Sequence, residues 1–371
     1  LFDPNSPPET CLNGPFHERR AVVVFADDFK YPQDMKFSVA VDQELSDRIS
    51  GSLGVLFNKA INQVSLEEMN IERGGPAIDA GLGGAYRRSF RPLENERGLP
   101  AAPDYDQVLL VTNDGEDWGV SITGELRGAL TDRLQFQVGY ALAKAWDRTS
   151  LVFTDMMSNY GMTPTTTDPN NHHLTTSNFD RPHKVVAALF GAPFPGLPET
   201  EISLLYTGQS GLPFSYVYRF DVNQDGYPGL GGAFDRTNDL LFVPTKGSAL
   251  PAGFVTQALW DRAVQEDACL ASIEPGEFME RNGCRAPWQN RLDLRLAHTV
   301  ELGRARVRFE GDLINVLNLL NSEWGRIESI RPIVPLLEEA AVPGFVQWGG
   351  TVLTERDGEG RLHTTEPWNV V

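Results

Sequence analysis

The sequence predicts an all-β protein, and more specifically part of an antiparallel transmembrane β-barrel with long extracellular loops. Several segments alternate apolar and polar residues over about the 9–11 residues that a tilted membrane strand requires. Very short turns alternate along the chain with long polar connections. In addition, no stretch approaches the ~20 consecutive apolar residues of a membrane-spanning helix, which excludes helical membrane proteins.

The composition fits either a soluble protein or a barrel. Of the 371 residues, 41% are hydrophobic and 22% are charged. The mean hydropathy of -0.27 does not separate the two classes, because alternating strands keep the average modest. The formal net charge of -18 argues against a nucleic-acid partner, since phosphate contacts require clustered Lys and Arg.

Six segments before residue 210 carry the alternation. The first four are KFSVAVDQEL, RISGSLGVLF, DWGVSITGELRG and RLQFQVGYALA, and HKVVAALFG and EISLLYTGQ follow. The predicted apolar faces of the first four consist of Phe37, Val39 and Val41; Ile49, Leu53, Val55 and Phe57; Val120, Ile122 and Leu126; and Leu134, Phe136, Val138, Tyr140 and Leu142. Ser, Thr, Gln, Glu and Arg residues occupy most of the alternate positions.

The last two clear strands, NRLDLRLAHTV and RARVRFEGDLINVLN, each have one apolar and one charged face. A soluble sandwich also alternates, but opposite charges on neighbouring strands suit a wet barrel lumen, where they can pair. The apolar positions are Leu292, Leu294, Leu296, Val307 and Phe309. The residues that we predict to face the lumen are Arg291, Asp293, Arg295, Arg306, Arg308, Glu310 and Asp312.

The connections predict the topology. Short turns fall at 45–48, 130–133 and 302–305, with a slightly longer one at 195–200, and long polar connections cover 59–117, 147–180 and roughly 211–289. Bacterial barrels keep periplasmic turns tight and place long loops outside, whereas the alternative is a soluble sandwich with insertions. Strands near 36–44, 118–128, 181–191 and 289–300 should each pair with the strand that follows. Short helices are expected only in the outer loops, at 58–73 and 254–266.

The later part of the chain resembles a known family. The run NGCRAPWQNRLDLRLAHTVELGRARVRFEGDLINVLNLLNSEWG combines a Pro-Trp start, an Arg-x-Asp-x-Arg ladder and an Asn-x-x-Asn-x-x-Asn series before Trp-Gly. Matching segments also occur at 179–196, 206–215 and 221–244. Together they resemble the late barrel strands of TonB-dependent receptors, and are most similar to the Oar-like group with a carboxypeptidase-regulatory-like domain. The N-terminal third shares only the general sequence pattern of the family and none of these motifs.

This resemblance implies a larger protein. Members of the family have a signal peptide, an N-terminal plug that contacts the TonB complex, and a 22-stranded barrel. We therefore expect residues 1–371 to be the C-terminal part of the barrel, without the plug and with the final strand truncated. The implied location is the bacterial outer membrane, with membrane lipid, the TonB complex and an unknown imported ligand as partners.

Two local features suggest a metal site and a disulfide. Asp221, Asn223 and Asp225 followed by Gly226 match the first half of a calcium loop, but position twelve is Gly232 instead of Glu. Asp235 and Asp239 are possible replacement ligands, so the segment 221–239 either binds Ca²⁺ or is an Asp/Asn/Gly loop without an ion. Cys269 and Cys284 either form a disulfide in an oxidising compartment or remain free thiols.

Other side chains have predicted structural roles. We expect Tyr206, Trp288 and Trp324 in an aromatic girdle at the membrane edge, or else packed in a core or loop. Asn315, Asn318 and Asn321 are expected to bond backbone groups where the strand leaves the sheet.

The functional hypotheses are three. The first is a transporter that takes up a siderophore, oligosaccharide or peptide, with ligand contacts in the loops that hold Tyr160, Phe214, Tyr216, Tyr218, Tyr227 and Trp260. The second is a surface adhesion or ligand-binding protein without active import. The third is a secreted soluble β-protein, such as a glycan-binding enzyme, in which a second layer would cover the apolar faces. No nucleophile-elbow, zinc-protease or phosphate-loop motif is present, so we expect no enzymatic activity and no catalytic residue.

Overall fold

The computed structural model describes residues 21–73, 107–166, 168–218, 238–245, 257–321 and 324–325, with short strand segments between 78 and 92 and beyond 327. Its strands are β1 (Ala21–Phe25), β2 (Asp34–Ser46), β3 (Ile49–Ala60), β4 (Gln63–Glu68), β5 (Ile71–Arg73), β6 (Ile78–Asp79), β7 (Tyr86–Arg87), β8 (Phe90–Pro92), β9 (Gln107–Asp114), β10 (Trp118–Thr131), β11 (Leu134–Asp147), β12 (Thr175–Thr176), β13 (His183–Gly191), β14 (Thr200–Gln209), β15 (Pro213–Tyr218), β16 (Cys284–Arg285), β17 (Gln289–Leu302), β18 (Ala305–Leu313), β19 (Glu328–Ser329), β20 (Ile333–Glu339), β21 (Val346–Gln347), β22 (Thr354–Arg356), β23 (Leu362–Thr364) and β24 (Asn369–Val370). The helices are α1 (Met156–Gly161), α2 (Gln257–Glu266), α3 (Ala268–Ser272) and α4 (Leu317–Leu320).

The main sheet is an antiparallel meander of long strands. Its order is β18-β17-β14-β13-β11-β10-β3-β2, and β12 pairs with the end of β11. Each hairpin joins strands that are consecutive in this sheet: β2 with β3, β10 with β11, β13 with β14, and β17 with β18. The predicted pairing of the strands near 36–44, 118–128, 181–191 and 289–300 with their successors is therefore confirmed.

The pairing register collects most of the large apolar side chains of the eight strands on one side of this sheet, whereas Leu56, Val186, Phe190 and Leu205 lie on the other side. Because residues directly opposite each other share a face, Val39, Val55 and Ile122 fall on the same side, as do Leu189, Leu204 and Leu294. We call this side the apolar face. Its other large members include Met35, Phe37, Val41, Ile49, Leu53, Phe57, Trp118, Val120, Leu126, Leu134, Phe136, Val138, Tyr140, Leu142, Trp146, Val185, Ile202, Tyr206, Leu292, Leu296, Val300, Leu302, Val307, Phe309 and Leu313.

The apolar face has no second protein layer over it in the part of the chain that the structure describes. Phe37 and Phe309 are 63% and 62% exposed, and Leu296 is 47% exposed. A soluble sandwich would bury these side chains, because exposing so large a continuous apolar surface to water is costly. In a barrel wall the same surface contacts lipid.

The two ends of the sheet differ in their connections. Asp132 and Arg133 alone separate β10 from β11, and Gly303 and Arg304 alone separate β17 from β18. Gly303 adopts a positive φ of 66°, a conformation that glycine reaches without steric cost. We call this the turn-side end. The opposite, loop-side end carries the long connections after β3, β11 and β14.

The first long connection forms a small three-stranded sheet together with β1, which precedes β2 in the chain. Strand β9 pairs in parallel with β1 and antiparallel with β4. Val64, Leu66, Leu109, Val111 and Tyr160 form the buried core of this unit. The expected helix at 58–73 was wrong, since these residues belong to the end of β3 and to β4 and β5.

The third long connection has a larger hydrophobic core. Phe214, Tyr216 and Tyr218 of β15 pack there with Leu241 and with Trp260 of α2. Helix α2 lies within the expected helical segment at 254–266. The connection also contains a disulfide between Cys269 and Cys284, whose Cα atoms lie 5.6 Å apart. This loop is therefore a compact folded unit.

Among the described residues, no helix combines the length and apolar character needed to cross a membrane.

Candidate functional site

A ladder of ion pairs runs across the face opposite the apolar one, which we call the polar face. Arg308 of β18 reaches Glu201 of β14, at 2.8 Å between Nη2 and Oε2, and also pairs with Glu310 on its own strand. Between them on β17 lies Ala297, which is opposite both Glu201 and Glu310. Its small side chain is only 4% exposed, which is consistent with the guanidinium group crossing above it.

Other charged residues of β17 and β18 on this face are also paired. Arg291 binds Asp293, with Nη2 2.6 Å from Oδ2, and Arg295 contacts Glu310 and Asp312 on β18. Arg306 pairs with Glu301 at 2.8 Å. The seven residues predicted to face a lumen thus share one side of β17 and β18. Exposed pairs of this kind contribute little stability individually, so the ladder primarily makes this surface hydrophilic.

Two cavities open on the polar face, one at each end of the sheet. The turn-side cavity has a volume of about 530 Å³ and is lined by side chains that include Glu44, Ser50, Arg127, Gln135 and Gln137. The loop-side cavity has a volume of about 370 Å³, with Asn58, Asp117, Asp147, Ser150 and Ser177 among its lining residues. Both cavities therefore offer carboxylate, hydroxyl and amide groups to a polar ligand.

Asp117 is the most perturbed acid of the loop-side cavity. Burial raises its pKa to about 6, although the backbone amide of Arg148 donates a hydrogen bond of 2.9 Å to its Oδ1 atom. The negative charges of Asp147 and Asp114 raise the pKa further. Near neutral pH this carboxyl group is therefore poised to bind or release a proton.

A buried ion pair joins the third long connection to the end of β11. The Nη2 atom of Arg281 lies 2.8 Å from Oδ1 of Asp147, and the two side chains are 5% and 11% exposed. Arg281 also donates to the backbone carbonyl of Asp147. The other carboxylate oxygen, Oδ2, accepts hydrogen bonds from the hydroxyl groups of Ser150 and Ser177. A fully partnered carboxylate thus fixes the loop against the strand.

A second ion pair fixes the same connection nearby. Arg285 donates to Oδ2 of Asp180 at 2.6 Å and to the backbone carbonyl of Gly211 at 3.0 Å. The other oxygen of Asp180, Oδ1, accepts from the backbone amide of Ala145 in β11. The second and third connections are therefore cross-linked to each other and to the sheet.

His172 is buried in the second connection and remains neutral. Burial lowers its pKa to about 3, and the positive charges of Arg281 and Arg148 act in the same direction. Its ring packs edge-on against Tyr160, with centroids 5.7 Å apart. The backbone carbonyl of His172 accepts a 2.6 Å hydrogen bond from Arg148. The residue therefore acts as a packing element of the loop.

The possible calcium loop falls mainly outside the described residues. Asp221, Asn223 and Asp225 are not described, whereas Asp239 is buried and bridges to Thr165. Within the described ranges, no group of three or more His, Cys, Asp or Glu side chains is arranged to hold a metal ion. The calcium site remains a prediction.

The loop aromatic residues have a different role from the one that sequence suggested. Tyr160, Phe214, Tyr216 and Tyr218 are at most 1% exposed, and Trp260 is 6% exposed. They build the cores of the folded loops and are not available to a ligand at the surface. Tyr227 lies outside the described residues.

Aromatic side chains cluster at the loop-side end of the strands. The indole rings of Trp118 and Trp146 stack with centroids 4.0 Å apart. Tyr206 and Trp288 both donate to Oδ1 of Asn290, at 2.7 and 3.0 Å. Tyr206 and Trp288 thus lie together at one end of the strands, and their place in a girdle at the membrane edge remains a prediction. The register adds the tryptophan pair, which the sequence analysis missed.

Two members of the asparagine series, Asn315 and Asn318, bond the backbone through their side chains as predicted where β18 leaves the sheet. Asn315 adopts a positive φ of 56° and donates from Nδ2 to the carbonyl of Gly325 at 2.8 Å. Asn318 donates to the carbonyl of Trp324 at 3.4 Å. Trp324 is 54% exposed beside this turn.

Comparison with family models identifies the family of the chain. The family model described as "Outer membrane beta barrel domain" matches residues 2–323. Among solved structures, the outer membrane transporter YddB from Escherichia coli is similar over 80% of this chain, with 12% sequence identity and a TM-score of 0.44. The present chain spans 30% of the length of that transporter chain. No curated protein matches the sequence.

Proposed function

Because the chain belongs to the family of outer membrane beta-barrel domains, we propose that it forms the C-terminal part of the barrel of a TonB-dependent receptor of the Oar-like group. The chain is a partial antiparallel transmembrane barrel located in the bacterial outer membrane. The receptor takes up a ligand such as a siderophore, an oligosaccharide or a peptide, without transforming it chemically. An N-terminal plug outside this chain would contact the TonB complex.

The observation that carries the proposal is the two-sided character of the sheet. The apolar face contacts the lipid hydrocarbon, and the polar face with its ion-pair ladder lines the lumen. The ladder residues would then keep the conduit filled with water; they include Arg291, Asp293, Arg295 and Arg306. Since positive and negative charges alternate across β14, β17 and β18, the wall does not strongly repel either sign of ligand.

The folded loops supply a capture surface at the mouth of this conduit. Two hydrophobic cores, a disulfide and the buried Arg281–Asp147 pair hold them in a defined shape. The cavity at Asp117 and Asp147 lies on the polar side of the sheet, directly below the loops. A rigid surface loses little conformational entropy on binding, which favours capture of a scarce ligand. A calcium ion at 221–239 would stiffen the same region.

The alternative function is adhesion or ligand binding without import. The observation that favours it is the same folded loop region, because stable loops also suit the display of a contact surface. In that case the polar face would line the interior of the barrel without conducting a ligand, and no contact with TonB would be needed.

Binding to TonB separates these functions. The full-length protein, purified from outer membranes, would be incubated with the purified periplasmic domain of TonB, and complex formation measured by surface plasmon resonance. Import predicts a specific complex, together with uptake of at least one labelled siderophore, maltodextrin or peptide that is lost in cells lacking TonB. Absence of the complex, together with loss of surface attachment when the gene is deleted, would favour adhesion.

A further inference from the structure

The charged side chains on the apolar face are all basic. Within the eight strands of the main sheet, the register places Lys59 and Lys144 on this face, with His183 and His298 as further basic residues. The same register places no Asp or Glu there. This bias is unexpected in a chain with 50 acidic and 32 basic residues. A membrane-facing cation requires an explanation, because hydrocarbon opposes charge.

Both lysines lie at the loop-side end, beside the stacked tryptophans. Lys59 is directly opposite Trp118 in the register, and Trp118 is opposite Trp146 on the next strand. The Nζ atom of Lys144 lies 5.5 Å from the centroid of the Trp146 ring. One strand separates β3 from β11, and Lys144 lies two residues along β11 from the position in line with Lys59, so the two lysine backbones are about 12 Å apart. The ammonium groups thus bracket an aromatic platform, which we call the loop-side rim.

The rim lies at the boundary of the apolar band. On β11 the band runs from Leu134 to Leu142, which matches the ~9–11 residues needed to cross the hydrocarbon core. Lys144 and Trp146 follow immediately on the same face. On β3 the band ends at Phe57, and Lys59 follows. Since the long loops are extracellular, this boundary is the headgroup level of the outer leaflet.

We propose that the loop-side rim binds a lipid of the outer leaflet whose sugar headgroup carries phosphate groups. Lys59 and Lys144 would each donate hydrogen bonds to a phosphate, and the Trp118–Trp146 stack would support the headgroup between them. Basic residues beside a membrane attract anionic headgroups, and interfacial tryptophans position a protein at this depth. The inference depends on the apolar face contacting lipid and is independent of whether the protein imports or adheres.

Existing contacts leave both lysines able to bind. Lys59 donates one 2.8 Å hydrogen bond to the carbonyl of Glu116, and an ammonium group has three donors. Lys144 lies 3.8 Å from Asp180, but that carboxylate already binds Arg285 at 2.6 Å. Its side chain is 42% exposed. The strongest partner of Asp180 is therefore not Lys144.

Lipid retention by charge-matched variants tests the proposal. The full-length protein would be placed in phosphatidylcholine discs containing bis-phosphorylated lipid A, extracted into mild detergent, and analysed for bound lipid A by native mass spectrometry. The test variant is Lys59→Gln/Lys144→Gln. The control is Lys36→Gln/Lys184→Gln, which removes two exposed lysines from the polar face. Lys59→Arg/Lys144→Arg keeps the rim cationic.

The proposal predicts roughly 25-fold less retained lipid A for the rim variant, since each basic residue near an anionic surface increases affinity about fivefold. The control should retain the wild-type amount, and the arginine variant most of it. Heat-modifiable gel mobility would establish folding, and single lysine variants would replace a misfolded double variant. Equal retention by the rim variant and its control would overturn the proposal. So would displacement of lipid A by millimolar inorganic phosphate, because a free-phosphate site would then suffice.

Discussion

Replacing Arg281 with methionine should loosen the outer loops while leaving the barrel strands folded. The change removes the charge that pairs with Asp147 at 2.8 Å, and it keeps most of the side-chain volume. Ser150 and Ser177 would still donate to one oxygen of Asp147, but the other oxygen would lose the guanidinium group. Breaking a buried ion pair by removing one member costs about 3–5 kcal/mol.

This energy predicts a measurable change in local opening. Because each 1.4 kcal/mol changes an equilibrium constant tenfold, a cost of about 3–5 kcal/mol should raise the open population of the loop roughly 140- to 3,700-fold. Hydrogen exchange with mass spectrometry would report it at the amide of Asn282, which bonds Ser215, and at that of Ala286, which bonds the carbonyl of Leu212. Amides in β10 and β11 should keep their protection, because the strand pairing does not involve Arg281.

A matched control exists in the same connection. Arg262 forms an exposed i,i+4 pair with Glu266 on α2, so Arg262→Met should cost no more than about 0.5 kcal/mol. The double variant Arg281→Met/Asp147→Asn should recover part of the loss, because no uncompensated charge remains buried. If Arg281→Met exchanges within about threefold of Arg262→Met, the buried pair does not hold the loop and the reasoning fails.

Three other predictions concern pH, the disulfide and the membrane face. Burial raises the pKa of Asp117 from 3.8 to about 6, so between these values the folded chain holds a proton that the unfolded chain releases. The folded state therefore loses stability as the pH rises through this window. The melting temperature of Asp117→Asn should exceed that of the wild type by more at pH 7.5 than at pH 4.5. An equal difference at the two pH values would contradict the raised pKa of Asp117. Removing the disulfide with Cys269→Ser and Cys284→Ser should destabilise the third connection by about 3 kcal/mol, because the bond closes a loop with a sequence separation of 15. A proteolysis rate of this loop equal to that of the wild type would contradict the prediction. Leu294→Arg should cost roughly 2–4 kcal/mol of folding free energy in lipid vesicles, whereas Ser203→Arg on the polar face should cost much less; similar urea midpoints for the two would argue against the assigned faces.

The membrane strands were predictable from sequence because their physics is local. A period of two along 289–302 already separates Leu292 and Leu294 from Arg291 and Asp293, and a two-residue turn fixes the partner of each strand. The same rule applied to β4 would have found a strand, since Val64, Leu66 and Glu68 are its buried residues. The expectation of a helix there therefore came from a wrong assignment of the spacing between the buried residues.

The interior of the loops was not predictable, because it depends on contacts distant in sequence. Arg281 meets Asp147 across 134 positions, and β1 pairs with β9 across more than eighty. Nothing local distinguishes Tyr216 or Tyr218 as core residues from the surface aromatics that a binding loop would show. Their burial follows only once β15, α2 and α3 are packed together.

Spin-label accessibility along β17 tests the central claim most directly. Single nitroxide-labelled cysteines at 291, 292, 293, 294, 295 and 296, placed in lipid bilayers, would be exposed in turn to oxygen, which partitions into lipid, and to a water-soluble nickel chelate. The account predicts a period of two, with oxygen favoured at the even positions and the chelate at the odd ones. Uniform accessibility along the strand, or the opposite phase, would contradict it.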